Sequence, residues 1–239
     1  INILMGNLSS SLVLQTVPLS DPFAVLQMIF AGAIISFDIA LGALIISIFY
    51  FILGGRAFCS WVCPVNIITD SANYLRRVLK FDEVQKKQPA TRNLRYWLIL
   101  ISFIISYFMG VAAFELISPV SMVHRGLIFG LGFGLATMIV IFLFDLFVLK
   151  NGWCGHICPL GGFYSLIGRF SLLRVHHNSE KCTACMKCKV VCPEIQVLHM
   201  IDKSSEPVLQ ECTLCARCIE VCEDDALNFE LRNYMKEKK

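Results

Sequence analysis

The sequence predicts an α-helical integral membrane protein with a small cysteine-rich domain at its C-terminal end. Three observations predict it. The chain of 239 residues is 56% hydrophobic, 16% charged and has a mean hydropathy of +0.65, against about 25% charged in a typical soluble domain. Its apolar residues gather in long runs. Eight of its 12 cysteines fall in a polar stretch between Cys182 and Cys222. This balance excludes a simple soluble enzyme and a disordered chain, and a net charge of +3 carries no signal for nucleic acid.

The elements follow in order. The chain opens on Ile1, and Ile1 to Met5 reads as the tail of an apolar segment, so a fourth span is expected before it. Asp21 followed by Pro22 reads as a helix start, with Asp at the N-cap and Pro at N1. Phe23 to Ala33 is then a short helix lying at a membrane surface. Three spans are expected near 39–55, 96–114 and 127–149, since a spanning helix needs about 20 apolar residues. Asp38 sits at the edge of the first, the cheaper place for a carboxylate. The segment Gly54 to Arg95 carries Arg56, Arg76, Arg77, Lys80, Lys86, Lys87, Arg92 and Arg95, whereas Glu115 to Gly126 carries only Arg125. The positive-inside rule puts the first segment, and everything after Lys150, on the cytoplasmic side of the membrane. Residues 1–173 are thus a membrane domain and 174–239 a separate domain, small enough to need a metal or disulfide staple.

That second domain holds two runs of one spacing. Cys182, Cys185, Cys188 and Cys192 are followed by Cys212, Cys215, Cys218 and Cys222, each run reading C-x2-C-x2-C-x3-C. This is the bacterial ferredoxin spacing for two [4Fe–4S] clusters, in which the fourth cysteine of a run reaches the other cluster. Cluster one takes Cys182, Cys185, Cys188 and Cys222; cluster two takes Cys212, Cys215, Cys218 and Cys192. Disulfides fit poorly with a cytosolic domain, and zinc sites do not use paired four-cysteine runs. Glu223 follows Cys222 where the pattern has Pro, a change expected to alter hydrogen bonding near the cluster without removing a ligand.

The remaining cysteines form two C-x3-C-P pairs, Cys59 with Cys63 before Pro64 and Cys154 with Cys158 before Pro159. Each follows an apolar run and a glycine-rich turn, an internal repeat. Positions i and i+4 share a helix face, so the pairs supply four sulfurs. Three readings stand open: a third iron–sulfur cluster, a thiol–disulfide couple, and inert buried cysteines.

None of His124, His156, His176, His177 or His199 lies inside a predicted span, so haem with axial histidines is not expected. Glu115, His124 and Arg125 flank Pro119 and are candidates for a quinol site, against the plainer reading of ordinary interfacial residues. Asp145, inside the third run, is a further candidate as an intramembrane carboxylate, or a partner of Lys150. His156, between Cys154 and Cys158, is either a hydrogen-bond donor to sulfur or a surface residue of the turn. The basic run Arg76 to Arg95 reads most simply as a topology signal.

The chain resembles the NapH family over most of its length. The resemblance is carried by Gly6-Asn-Leu-Ser-Ser-Ser11, Pro18-Leu-Ser-Asp-Pro-Phe23, both C-x3-C-P pairs, Ser118-Pro-Val-Ser-Met-Val-His-Arg-Gly126, Ile167-Gly-Arg-Phe-Ser-Leu-Leu-Arg174 and both ferredoxin runs. It implies four membrane helices with both termini cytoplasmic, contact with lipid and quinone, and a quinol dehydrogenase subunit: an oxidoreductase component that works within a complex. It also implies a periplasmic iron–sulfur partner of NapG type, in some systems a tetrahaem cytochrome of NapC type, and electrons bound for a periplasmic nitrate reductase. Two other expectations stand beside it: a polyferredoxin-like membrane reductase for metal-centre assembly, and a membrane anchor whose clusters are structural.

Overall fold

The structure is a computed structural model that describes residues 10–13, 17–79, 93–129 and 132–232. It divides into two units, one of residues 1–49 and 63–163, the other of residues 50–62 and 164–239.

The first unit is helical. A short antiparallel pair, β1 (Ser10–Val13) and β2 (Val17–Ser20), leads into α1 (Pro22–Phe30). Asp21 caps α1, its carboxylate accepting from the Phe23 N–H at 3.2 Å, and Pro22 opens the first turn, as the sequence predicts. There follow α2 (Phe37–Leu53, whose last turn belongs to the second unit), α4 (Val65–Val78), α5 (Asn93–Met109), α6 (Ala113–Ile117), α7 (Pro119–Phe129) and α8 (Gly132–Phe147). The segment between α2 and α4 carries α3 (Ala57–Trp61) of the second unit.

The predicted membrane-spanning fold is corrected here. Among the described residues no helix is long and apolar enough to cross a membrane. α2 and α5 have 17 residues each and α8 has 16, lengths of about 25 Å against the ~30 Å of bilayer hydrocarbon. Gly54 (φ +112°) follows the last residue of α2, and Gly110 (φ +65°) follows the last residue of α5, the left-handed conformation that ends helices. The third run, 127–149, is shared between α7 and α8 instead of forming one helix, with Gly126 near the end of α7 and Gly132 and Gly134 at the start of α8. α7 packs on α8, and a Cβ at Gly134 would lie 2.7 Å from the Met122 carbonyl oxygen. Leu41, Leu44, Leu100, Ile104, Ile139 and Leu143 leave apolar outer faces on α2, α5 and α8.

The core of this unit is part apolar, part polar. Phe23 packs its ring on Phe103, Phe114 and Phe163. Beside it the buried Gln27 accepts from Ser106 Oγ at 3.2 Å and from the Phe114 N–H at 2.9 Å, joining α1, α5 and α6.

The second unit is the cysteine-rich one. α9 (Pro159–Gly168) enters it at Tyr164, and Tyr164 stacks on Phe58 with ring centroids 5.0 Å apart. β3 (Leu173–His177) pairs antiparallel with β4 (Leu227–Leu231), Leu173 opposite Leu231 and His177 opposite Leu227. Between them lie α10 (Lys187–Val191), a 3-10 turn (Ile195–Leu198) and α11 (Arg217–Glu220). The core is Val175, Val197, Leu198, Met200, Ile201, Val208 and Leu227, with Cys188, Cys192 and Cys218 packed into it.

Candidate functional site

Both four-cysteine runs fold alike. In the first, Ala184 (φ +55°) and Met186 (φ +59°) are left-handed; in the second, Leu214 (φ +54°) and Ala216 (φ +62°) occupy the same two places. None is glycine, so each costs about 1–3 kcal/mol. The chain is thereby wound tightly enough to turn three sulfurs inward, and the third cysteine of each triplet, Cys188 or Cys218, enters the first turn of α10 or α11.

Two cavities result. One is lined by Cys182, Cys185, Cys188 and Cys222 together with His177, Met186 and Asp224. The other is lined by Cys212, Cys215, Cys218 and Cys192 together with Glu194 and Thr213. The fourth cysteine of each run thus stands in the other run's cavity. The thiols nearest in electrostatic terms follow this for the two cysteines at issue: Cys182, Cys185 and Cys222 act on Cys188, and Cys212, Cys215 and Cys218 act on Cys192, while Cys188 also acts across on Cys218. Burial pushes the thiols up, Cys212 to about 11, Cys218 to about 12, and Cys188 and Cys192 also upward. A bare thiolate is therefore disfavoured in these cavities, and iron is what stabilises four thiolates in so small a space. Among the described residues no three His, Cys, Asp or Glu side chains converge on a single metal-ion position. Four sulfurs spread around a cavity suit a polynuclear cluster, and strained turns that aim N–H groups inward suit its negative charge. The Leu214 N–H donates to Cys212 Sγ at 3.4 Å. The residues present fit a [4Fe–4S] group in each cavity.

Glu223, which stands where Pro was expected, pairs at the surface with Lys187 Nζ at 2.6 Å, and Asp224 accepts from the Thr183 N–H and hydroxyl. The extra carboxylates fasten one run to the other.

The C-x3-C-P pairs lie as follows. Cys59 is on α3, in the second unit; Cys63, Cys154 and Cys158 are in the first. Cys154 is held in a π-helical turn (Trp153–Ile157), and Cys158 caps that turn and accepts from the Gly161 N–H at 3.4 Å. His156 is buried inside the turn, not on the surface. Asp145, buried on α8, accepts from the Trp153 N–H at 3.1 Å and so anchors the start of the turn. The buried Arg95 donates to the Gly155 carbonyl at 3.3 Å, and Arg76 donates to the carbonyls of Asp145 and Leu146 at the end of α8. Glu115 accepts from Ser121 Oγ at 2.7 Å and joins α6 to α7 instead of standing on a loop; His124 and Arg125 lie on α7, and their side chains are outside those described.

Sequence reasoning missed three arginines. Arg56, Arg76 and Arg95 read in the sequence as charges that set topology, yet all three are buried. Arg56 Nη1 bonds Glu194 Oε1 at 3.1 Å and the Glu211 carbonyl at 2.7 Å. Their carbonyl partners stand 60 or more residues away in sequence, so no local signal marks them.

A fold of paired cysteine loops around two cavities defines a ferredoxin-type iron–sulfur protein. A 4Fe-4S dicluster domain family matches residues 174–223, and a 4Fe-4S binding domain family matches twice, at 35–82 and 131–176. The chain is 41% identical over 235 residues to the ferredoxin-type protein NapH of Escherichia coli K12, covering 96% of this chain and 81% of that protein. It is 44% identical over 194 residues to the methylamine utilization ferredoxin-type protein MauN of Methylorubrum extorquens, covering 81% and 67%. MauN of Paracoccus denitrificans is 45% identical over 197 residues, covering 82% and 69%. No solved structure matches. The chain belongs to the NapH family of ferredoxin-type electron-transfer proteins.

Proposed function

We propose that this chain is the quinol-oxidising electron-transfer subunit of a nitrate-reducing system at a bacterial cytoplasmic membrane. It receives electrons from quinol and passes them through two [4Fe–4S] clusters toward an iron–sulfur partner of NapG type, in some systems by way of a tetrahaem cytochrome. The observation that carries this is the pair of four-cysteine cavities, each completed by the other run. When bound, the clusters supply one-electron steps; the chain's own part is to hold the cysteines, keep solvent from Cys188, Cys192 and Cys218, and donate N–H groups to sulfur. MauN proteins are 44–45% identical over 81–82% of the chain and NapH 41% over 96%; the longer match is the ground for choosing nitrate over methylamine metabolism.

The 4Fe-4S binding domain family matches two stretches whose cysteines are Cys59 with Cys63 and Cys154 with Cys158. This supports an iron–sulfur role for these pairs over inert thiols. Iron and acid-labile sulfide on anaerobically purified protein test the count: about eight iron fits two clusters, and about twelve requires the C-x3-C-P cysteines as further ligands. Quinol addition is then expected to reduce the clusters. Clusters that dithionite reduces but neither ubiquinol nor menaquinol touches would sink the quinol reading. Full electron transfer in a Cys182→Ser, Cys212→Ser protein at normal abundance would leave only a structural role for the clusters.

A further inference from the structure

The two cavities are electrostatically unequal. The one lined by Cys182, Cys185, Cys188 and Cys222 has the Asp224 carboxylate in its wall, and its nearest ion pair, Lys187 with Glu223, lies exposed to water. The one lined by Cys192, Cys212, Cys215 and Cys218 has the Glu194 carboxylate in its wall, but that carboxylate is bonded to a guanidinium that is 1% exposed. Arg56 reaches both ends of that ligand set, bonding the carboxylate of Glu194, two residues after Cys192, and the carbonyl of Glu211, just before Cys212. Its own segment is fixed against the same loop. Trp61 Nε1 donates to the Leu214 carbonyl at 3.2 Å, and a Cβ on Gly54 would lie 2.0 Å from Leu214 Cδ1.

We propose that Arg56 is a positioning residue that raises the reduction potential of the cluster held by Cys192, Cys212, Cys215 and Cys218, making it the first of the two to take an electron. The proposal rests on the two-cluster reading above. An added electron makes a cluster more negative, and a fixed cation in a poorly solvated place stabilises that charge. Arginine stays protonated throughout. Glu194 opposes it, but Arg56 is not confined to that carboxylate: Nη1 also reaches the Glu211 carbonyl beside Cys212 at 2.7 Å. The electron enters from quinol or an added reductant, and no bond to Arg56 forms or breaks.

The test is a mediated redox titration of the holoprotein followed by low-temperature electron paramagnetic resonance, with iron counted in every variant. Arg56→Gln is expected to lower the higher of the two midpoints and leave the lower one in place. Glu194→Gln is expected to raise the same midpoint, and Arg56→Lys to restore most of it. Because Arg56→Gln strands a buried carboxylate and can cost cluster loading, Glu194→Gln and Arg56→Lys decide the question if that variant loses iron. Midpoints that do not move in fully loaded variants, or that move together, overturn the proposal. Fewer than about eight iron in the unaltered protein overturns the two-cluster reading instead.

Discussion

Gly55 shows how little room single positions leave. A Cβ there would lie 1.8 Å from the Tyr164 carbonyl oxygen and 2.4 Å from the Gly168 nitrogen. Backbone atoms cannot step aside as a side-chain tip can, so Gly55→Ala is expected to cost ~3 kcal/mol or more, above ordinary core overpacking. The loss is measurable as a lower thermal midpoint of the cluster absorbance. Gln27 makes the opposite point: here a side chain is needed. Its Oε1 is the acceptor for the Phe114 N–H and the Ser106 hydroxyl. Gln27→Leu leaves both buried donors unmet and is expected to destabilise the helical unit by about 1–3 kcal/mol, whereas Gln27→Glu keeps the oxygen. Denaturant melts of the two variants side by side check this. The Asp21–Pro22 cap was legible in the sequence because both residues act locally. Gln27 was not, since its partners stand about 80 residues away.

At the scale of elements, the turn that carries Cys154 and Cys158 is held from two sides. Asp145 takes the Trp153 N–H at its start, and Arg95 donates to the Gly155 carbonyl within it. Asp145→Ala removes the acceptor and is expected to speed alkylation of Cys154 and Cys158 in iron-free protein; Asp145→Asn retains an oxygen there and is expected to change it little. Mass spectrometry of the labelled peptides reads the difference. Counting charges along the chain could not find this scaffold, because it treats every arginine as solvated. A guanidinium offers five donors, and Arg76 and Arg95 use theirs on carbonyls at a helix end and in the π-helical turn. The positions of α2 and α5 were legible from hydrophobicity, and the residues at which they end were not. Gly54 and Gly110 stop them through backbone conformation, which hydropathy averages do not register.

For the whole molecule, the division into units separates two sources of stability. The helical unit has its own aromatic and polar core, while the cysteine-rich unit packs its apolar core directly against its cysteines and, among its described residues, holds six non-glycine residues at positive φ. Small domains of this kind lean on their metal. Chelating the iron is therefore expected to unfold the cysteine-rich unit while most far-ultraviolet helical signal survives, since α4, α5, α7 and α8 belong to the other unit. A single transition abolishing both would contradict this. The grouping of each cysteine triplet was legible in the spacing, because one loop carries it; the fourth cysteine of each cavity comes from the other run and depends on how the two runs fold together. The apolar runs were legible as helices but not as the paired, glycine-divided α7 and α8.

The exchange of fourth cysteines between the runs also governs how loading proceeds. Cys192 follows Cys188 by one turn of α10, and Cys222 follows Cys218 by one turn of α11. Filling either cavity is expected to draw the missing ligand of its neighbour into register, so native mass spectrometry during iron titration should find half-loaded chains scarce at every iron ratio. Damage spreads by the same logic, and oxidative loss at one cavity loosens the last ligand of the other.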